Sequence, residues 1–221
     1  MYCWVVVSNI DGYKNKILNS SISQSGNLYK NNEGNIHLRN GEVEINSINI
    51  SYTDLESDSL FSIYYYNLQS RASFSTFSNN TDTYPRGYSN YFDGSSETLF
   101  IKSCNYLSND LHVIVSVSDA YAYVVNCNFI NNTGRNRYFY HSGSGNTTID
   151  GCYIDKINPK IGGKVYFNNN EANPFIIEYP YLSCEFEIPN SMNNEEIKKK
   201  KNIKNIHFIF SQLFIFVSES K

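Results

Sequence analysis

One short segment of the chain carries side chains that suit the recognition of a sugar. It holds three tyrosines, an arginine and an aspartate, which are Tyr84, Arg86, Tyr88, Tyr91 and Asp93. A tyrosine ring has an apolar face and a polar tip, so the three rings can stack on sugar rings. The arginine and the aspartate can supply hydrogen bonds that orient a ligand. The alternative is an aromatic flap that packs against the flank of its own domain.

Residues for metal, nucleophilic or phosphate chemistry do not form a recognisable set in this sequence. No GxSxG, no HExxH and no phosphate-binding glycine loop occurs. Neither a CxxC pair nor a cluster of cysteine with histidine occurs, and zinc sites need such spacing. The histidines are isolated and fit surface or stacked positions: His37, His112, His141 and His207. We therefore predict no catalytic residue, no metal site and no cofactor.

A repeat along the chain must position these side chains. Three segments are versions of one another, at 101–107, 124–130 and 149–155. Their cysteines, Cys104, Cys127 and Cys152, lie 23 and 25 residues apart (127 − 104 and 152 − 127). A fixed period of 20–50 residues is typical of a solenoid, in which no repeat can bury its apolar face alone.

Each copy predicts a short strand followed by a turn. β-branched and aromatic residues favour the strand, and the Asn, Gly or Asp that follows favours the turn. In an earlier copy Ile48 takes the place of the cysteine. This exchange predicts an inward position, because free cysteine behaves as a small buried hydrophobe. With further strands expected at 61–66 and 72–77, we predict an all-β, right-handed parallel β-helix of about seven coils of roughly 24 residues.

The stacked cysteines admit two arrangements. Neighbouring strands lie about 4.8 Å apart, which falls within the Cα range of a disulfide. Parallel side chains keep their Cβ atoms at that same separation, whereas a disulfide needs roughly 3.8 Å. We therefore expect an inward ladder of free thiols in preference to a bridged pair.

The repeats resemble those of right-handed parallel β-helix proteins of the pectin-lyase-like group. The segments that carry the resemblance are Cys104-Asn105-Tyr106-Leu107, Cys127-Asn128-Phe129-Ile130-Asn131-Asn132 and Gly151-Cys152-Tyr153-Ile154. They look most like the non-catalytic, Asn-rich repeats of bacterial and protist surface proteins. The resemblance implies a non-catalytic binding or structural module, a carbohydrate or host-surface ligand, and a cell-surface or extracellular location.

The same group of folds includes polysaccharide lyases and hydrolases, which are the alternative function. One signature of the hydrolases is Asn-Thr-Asp, found here as Asn80-Thr81-Asp82. Its companions Asp-Asp, Gly-His-Gly and Arg-Ile-Lys are absent. Because glycoside hydrolysis uses paired carboxylates, this alternative requires a second carboxylate within about 10 Å of Asp82. Whether the chain is an enzyme stays open at this point, with a non-catalytic role favoured.

The charge of the chain argues against nucleic acid as a partner. The net charge is −3 and the isoelectric point is about 5.8. A basic face, the electrostatic footprint of nucleic-acid binding, is missing. The one charge run is the four lysines at 198–201, which fits a solvated segment.

The composition changes near residue 190, which predicts a domain boundary. We expect residues 1–189 to form the β-helix and residues 190–221 to be a charged linker and a short apolar tail outside it. The apolar stretch from Phe208 to Val217 is shorter than the roughly 20 residues of a membrane span. Membrane attachment is expected only through this tail. The N-terminus shows no signal peptide.

Overall fold

A computed structural model describes most of the repeat region and little of the chain after it. The described residues are 5–8, 13–23, 36–55, 58–66, 70–82, 87–94, 97–156, 158–174 and 219–220. Every regular element within these ranges is a β-strand. Accordingly, none of the described residues forms a helix with the length and apolarity that a bilayer crossing demands. The expected boundary at residue 190 lies outside the described residues and stays a prediction.

The strands are numbered here in chain order. They are β1 Val5–Ser8, β2 Tyr13–Leu18, β3 Ser21–Ser23, β4 Ile36–Arg39, β5 Glu42–Asn46, β6 Asn49–Ser51, β7 Asp54–Leu55, β8 Asp58–Tyr66, β9 Ser70–Ser73, β10 Thr76–Ser78, β11 Thr81–Asp82, β12 Gly87–Gly94, β13 Thr98–Lys102, β14 Asn105–Leu107, β15 Asp110–Val125, β16 Asn128–Ile130, β17 Thr133–Asp150, β18 Tyr153–Ile154, β19 Ile161–Gly162, β20 Val165–Asn168 and β21 Glu219–Ser220.

The strands pair in parallel, turn upon turn, and form three walls around one core. The first wall contains β2, β5, β9, β13, the second halves of β15 and β17, and β20. The second wall contains β3, β6, β10, β14, β16 and β18. The third wall contains β1, β4, β8, β12, the first halves of β15 and β17, and β19. Only β21 pairs antiparallel among the described strands, at the edge of β2.

The architecture is the predicted all-β parallel solenoid, but it has about five turns rather than about seven. The reason is the length of the earlier turns. Equivalent residues are 27 apart between Ile48 and Ser75 and 29 apart between Asn80 and Asn109. They are only 23 apart between Cys104 and Cys127. The period read from the cysteines is therefore that of the shorter, later turns.

The cysteines form the predicted inward ladder at the corner between the first and second walls. Cys104, Cys127 and Cys152 are free and 0% exposed. The backbone N–H of Cys104 donates to Sγ of Cys127 at 3.4 Å, and that of Cys127 to Sγ of Cys152 at 3.3 Å. Two turns earlier, the N–H of Ile48 donates to Oγ of Ser75. The side chain at this position thus accepts a corner N–H that the strands leave unpaired.

A second ladder, made of asparagines, lines the next corner. Its members are Asn80, Asn109 and Asn132, each at most 1% exposed. The N–H of Thr53 donates to Oδ1 of Asn80, the N–H of Asn80 to Oδ1 of Asn109, and the N–H of Asn109 to Oδ1 of Asn132. Each Nδ2 donates in turn to a backbone carbonyl of the preceding turn. The abundance of asparagine therefore has a structural use at this corner.

An aromatic stack fills the core beneath the second wall. The ring centroids of Phe77 and Tyr106 are 5.1 Å apart, and those of Tyr106 and Phe129 are 4.6 Å apart at an interplanar angle of 7°. Tyr106 is 0% exposed, and its hydroxyl finds no hydrogen-bond partner among the described residues. Burial raises the pKa of Tyr106 well above its usual value.

Tyr106→Phe is expected to stabilise the protein. The substitution keeps the stacked ring and removes a buried hydroxyl without a partner, so the free energy of unfolding should rise by about 1 kcal/mol. Tyr138→Phe is the matched control, because the hydroxyl of Tyr138 accepts a hydrogen bond from Asn132 at 3.2 Å. That change should lower the free energy of unfolding by about 1 kcal/mol. Urea denaturation distinguishes the two, and a shift of both variants in the same direction would contradict the assignment.

Candidate functional site

The third wall carries three of the residues that the sequence singled out as candidates for sugar recognition. Tyr88, Tyr91 and Asp93 all lie on β12. Phe92 between them is 0% exposed and points into the core, so Tyr91 and Asp93 face outward. Tyr84 and Arg86 lie outside the described residues. The structure thus places three of the five predicted residues on one outer surface.

Rings from other turns extend this surface. We call Tyr64, Tyr88, Tyr91 and Tyr140 the tyrosine platform. The ring centroids of Tyr64 and Tyr91 are 5.5 Å apart, and those of Tyr88 and Tyr91 are 5.4 Å apart. The ring of His37 stacks on Tyr64 with centroids 6.0 Å apart. The four strand-to-strand steps from His37 to Tyr140 span roughly 19 Å along the solenoid.

Two serines show how the rings lie. Ser62 and Ser116 are on the outer side of the wall, yet they are 0% and 1% exposed. The strand neighbours of Ser62 are His37 and Tyr91, and Tyr91 also neighbours Ser116. The adjacent rings can cover these short side chains. The ring planes of the platform are inclined to one another, by 53° between Tyr64 and Tyr91 and by 45° between Tyr88 and Tyr91.

The electrostatics of the platform centre on Tyr91 and Asp93. Burial, and then the Asp93 carboxylate, raise the pKa of Tyr91 to about 12. Ser118, the strand partner of Asp93, opposes this rise in the pKa of Tyr91. Burial and the nearby Asp119 carboxylate raise the pKa of Asp93. Tyr91 is thus a neutral phenol near pH 7 and lies beside the Asp93 carboxylate.

Arginines lie over two platform rings. The guanidinium carbon of Arg39 is 5.4 Å from the ring centroid of Tyr64, and that of Arg137 is 4.4 Å from the centroid of Tyr140. Such cation–π contacts hold rings in place. Sequence reasoning missed both arginines and both tyrosines of these contacts because they belong to turns other than that of β12. The strand register would have found Tyr64, since it pairs directly with Asp93.

The hydrolase-like tripeptide is structural in this protein. Asn80 belongs to the asparagine ladder, and Thr81 donates a hydrogen bond to Asp54. The side chain of Asp82 is 0% exposed and forms an ion pair with Arg135. Its Oδ2 accepts the backbone N–H of His112 at 2.7 Å. A carboxylate enclosed in this way cannot reach a substrate.

Asp82 does have a carboxylate neighbour, but an arginine joins the two. Asp110 lies 3.4 Å from Nε of Arg135, the same guanidinium that pairs with Asp82. The two aspartates therefore share one guanidinium in an ion-pair cluster at a corner of the solenoid. They are not an open acid and base facing one groove.

The described histidines are separate and have structural surroundings. His37 lies 2.7 Å from the hydroxyl of Ser62, and His141 lies 3.0 Å from the carbonyl oxygen of Ser144. Burial lowers the pKa of both His112 and His141. Within the described part of the chain, no three His, Cys, Asp or Glu side chains come together as a cation site. His207 lies outside it.

Comparison with known protein families, curated proteins and solved structures finds no match for this chain. The class of protein therefore follows from the strand pairing alone: the chain is a parallel β-solenoid. Its pectin-lyase-like and surface-protein character stays a resemblance of the repeats.

Proposed function

We propose that this chain is a non-catalytic binding module that holds an extended carbohydrate on the tyrosine platform. The observation that carries the proposal is the row of contacting tyrosine rings on the outer side of the third wall. Sugar rings pack their apolar faces on aromatic rings gathered in this way.

The groups around the platform suit a polar, uncharged ligand. Asp93 and Ser118 lie beside Tyr91 and offer hydrogen-bonding groups. Arg39 and Arg137 contribute donors at the two ends. Equivalent strand positions on the third wall repeat once per turn, about every 4.8 Å. A sugar unit of an extended polysaccharide is about as long. The rings alternate with Ser62 and Ser116 from turn to turn, so every second sugar can meet a ring along the solenoid.

Tyr91→Ala is expected to weaken carbohydrate binding about tenfold, which corresponds to about 1.4 kcal/mol. The substitution removes the central ring, which contacts both Tyr64 and Tyr88. Affinity electrophoresis against three soluble neutral polysaccharides, a β-glucan, a galactan and a mannan, measures the effect.

Tyr52→Asn is the matched control for this experiment. Tyr52 is 62% exposed at a corner with a φ of 53°, a backbone conformation that asparagine tolerates. This variant loses an exposed tyrosine away from the platform and should bind as the unchanged chain does. Equal binding by the Tyr91 variant, or no binding of any of the three polysaccharides by the intact chain, refutes the proposal.

A polysaccharide-degrading enzyme is the second candidate, and one observation favours it. Asp93 and Asp119 interact electrostatically beside the platform. The backbone N–H of Ser144 lowers the pKa of Asp119, whereas burial raises that of Asp93. Two carboxylates whose pKa values are pushed apart are the pattern of an acid and a base. Release of reducing ends or unsaturated products by the intact chain, abolished in Asp93→Asn, would support this candidate over simple binding.

A further inference from the structure

A second surface, on the first wall, gathers several exposed rings. One residue from each paired strand of this wall forms a straight row, which we call the outer row: Lys16, Glu44, Arg71, Phe100, Tyr123, Thr148 and Tyr166. Phe100, Tyr123 and Tyr166 are 45%, 39% and 54% exposed. Leu18 and Tyr121, on the same wall, are 45% and 41% exposed. Exposed apolar groups gathered on one face mark an interaction surface.

This surface differs from the tyrosine platform in a way that favours a protein partner. The rings of Phe100 and Tyr123 stack on each other, with centroids 5.5 Å apart and an interplanar angle of 17°. Stacked in this way, they present their edges rather than their faces to solvent. Phenylalanine also lacks a hydrogen-bonding group for a sugar. Aromatic side chains with a charged surround are typical of protein interfaces.

The outer row is divided into a charged half and an aromatic half. In the charged half, Glu44 lies between Lys16, at 4.0 Å, and Arg71, with which it also forms an ion pair. Two cations around one carboxylate leave this half positive. The aromatic half, from Phe100 to Tyr166, contains no charged residue.

We propose that two copies of this chain associate through the outer row, antiparallel, with the aromatic half of each on the charged half of the other. A two-fold interface must be complementary to itself. The antiparallel arrangement buries the rings against the aliphatic stems of Lys16 and Arg71, whose charged ends can bond the tyrosine hydroxyls. In a parallel arrangement, Arg71 of one copy would face Arg71 of the other copy, and the repulsion between like charges opposes this. The six steps of the row extend roughly 29 Å.

Sedimentation equilibrium of the full chain tests the proposal. The unchanged chain is expected to show a monomer–dimer equilibrium. The Kd for dimerisation should rise at least tenfold in the aromatic variant Phe100→Ser/Tyr123→Ser and also in the charge variant Lys16→Ala/Arg71→Ala. Tyr52→Asn, on neither surface, should dimerise unchanged. Circular dichroism verifies that each variant is folded.

Mixing the two variants tests the antiparallel arrangement. Each homodimer lacks both of its aromatic–charged contacts. A heterodimer retains one complete contact, between the rings of the charge variant and the cations of the aromatic variant. An equimolar mixture should therefore form more dimer than either variant alone. A chain that stays monomeric at all concentrations, variants that dimerise as tightly as the unchanged chain, or a mixture without recovery overturns the proposal.

Discussion

Asn109→Leu is expected to lower the free energy of unfolding by about 4 kcal/mol, because it breaks the asparagine ladder at its centre. Nδ2 of Asn109 donates to the carbonyl oxygen of Phe77 and to Asn132, both at 2.8 Å. Its Oδ1 accepts from the backbone N–H and from Nδ2 of Asn80. Leucine has a similar size but leaves these buried groups unpaired, each at a cost of about 1–3 kcal/mol. Chemical denaturation measures the loss.

Asn105→Thr is the control for the ladder variant. Asn105 faces outward on the second wall, where Thr76 holds the equivalent position one turn earlier. Its Oδ1 accepts one partly buried hydrogen bond from Asn128. The control should cost less than about 1 kcal/mol, the usual value of a single hydrogen bond. Equal losses in the two variants would mean that the four buried hydrogen bonds of the Asn109 side chain stabilise the protein no more than the bond between Asn128 and Asn105.

Arg135→Met is expected to destabilise the protein by about 3–5 kcal/mol, because it leaves the buried Asp82 carboxylate without its counter-charge. The side chain of Asp82 is 0% exposed, so water cannot replace the guanidinium. The arginine also donates to the backbone carbonyl oxygen of Asp82 at 2.6 Å. Thermal and urea denaturation report the change.

Two further variants isolate the buried charge as the cause. Asp110→Asn removes the exposed partner of Arg135 and should cost less than about 1 kcal/mol. Adding Asp82→Asn to Arg135→Met should recover part of the loss, since a neutral amide is less costly to bury than a carboxylate. A double variant that is no more stable than Arg135→Met alone would show that the arginine acts through packing and not through charge.

The architecture was predictable because cysteine is rare and recurs at one position of the repeat. Ile48 in the equivalent place identified that position as inward, and both features are confirmed. The number of turns was wrong because the earlier turns are longer than the cysteine spacing. The 56 residues from Ile48 to Cys104 (104 − 48) exceed two coils of roughly 24 residues, which signals extra length without showing where it falls.

The second ladder was missed because asparagine is common throughout this chain. A usable signal was nevertheless present. Asn109 and Asn132 follow Cys104 and Cys127 at the same five-residue offset. That fixed offset in a repeat predicts a second stacked position. It would also have identified Asn80 as a ladder residue instead of part of a hydrolase signature.

The tyrosine platform was predictable only in part. Tyr88, Tyr91 and Asp93 are neighbours in sequence, so composition alone singled them out. Tyr64 and Tyr140 come from other turns, and their proximity depends on a register that changes from turn to turn. Long-range register is set by packing over the whole solenoid, which a local pattern does not contain.

The two ladders keep the same separations from turn to turn, first 27 residues and later 23 residues. All variation in turn length therefore falls outside the segment between the two corners. The register slips at Ser118–Ala120, where β15 passes from the third wall to the first. A loop grafted at this corner would leave both ladders in register, because extra residues there add mainly loop-closure entropy. The protein can thus be lengthened by insertion at the corner between the third and first walls without change to the two ladders. This property suits it as a scaffold for displayed peptides.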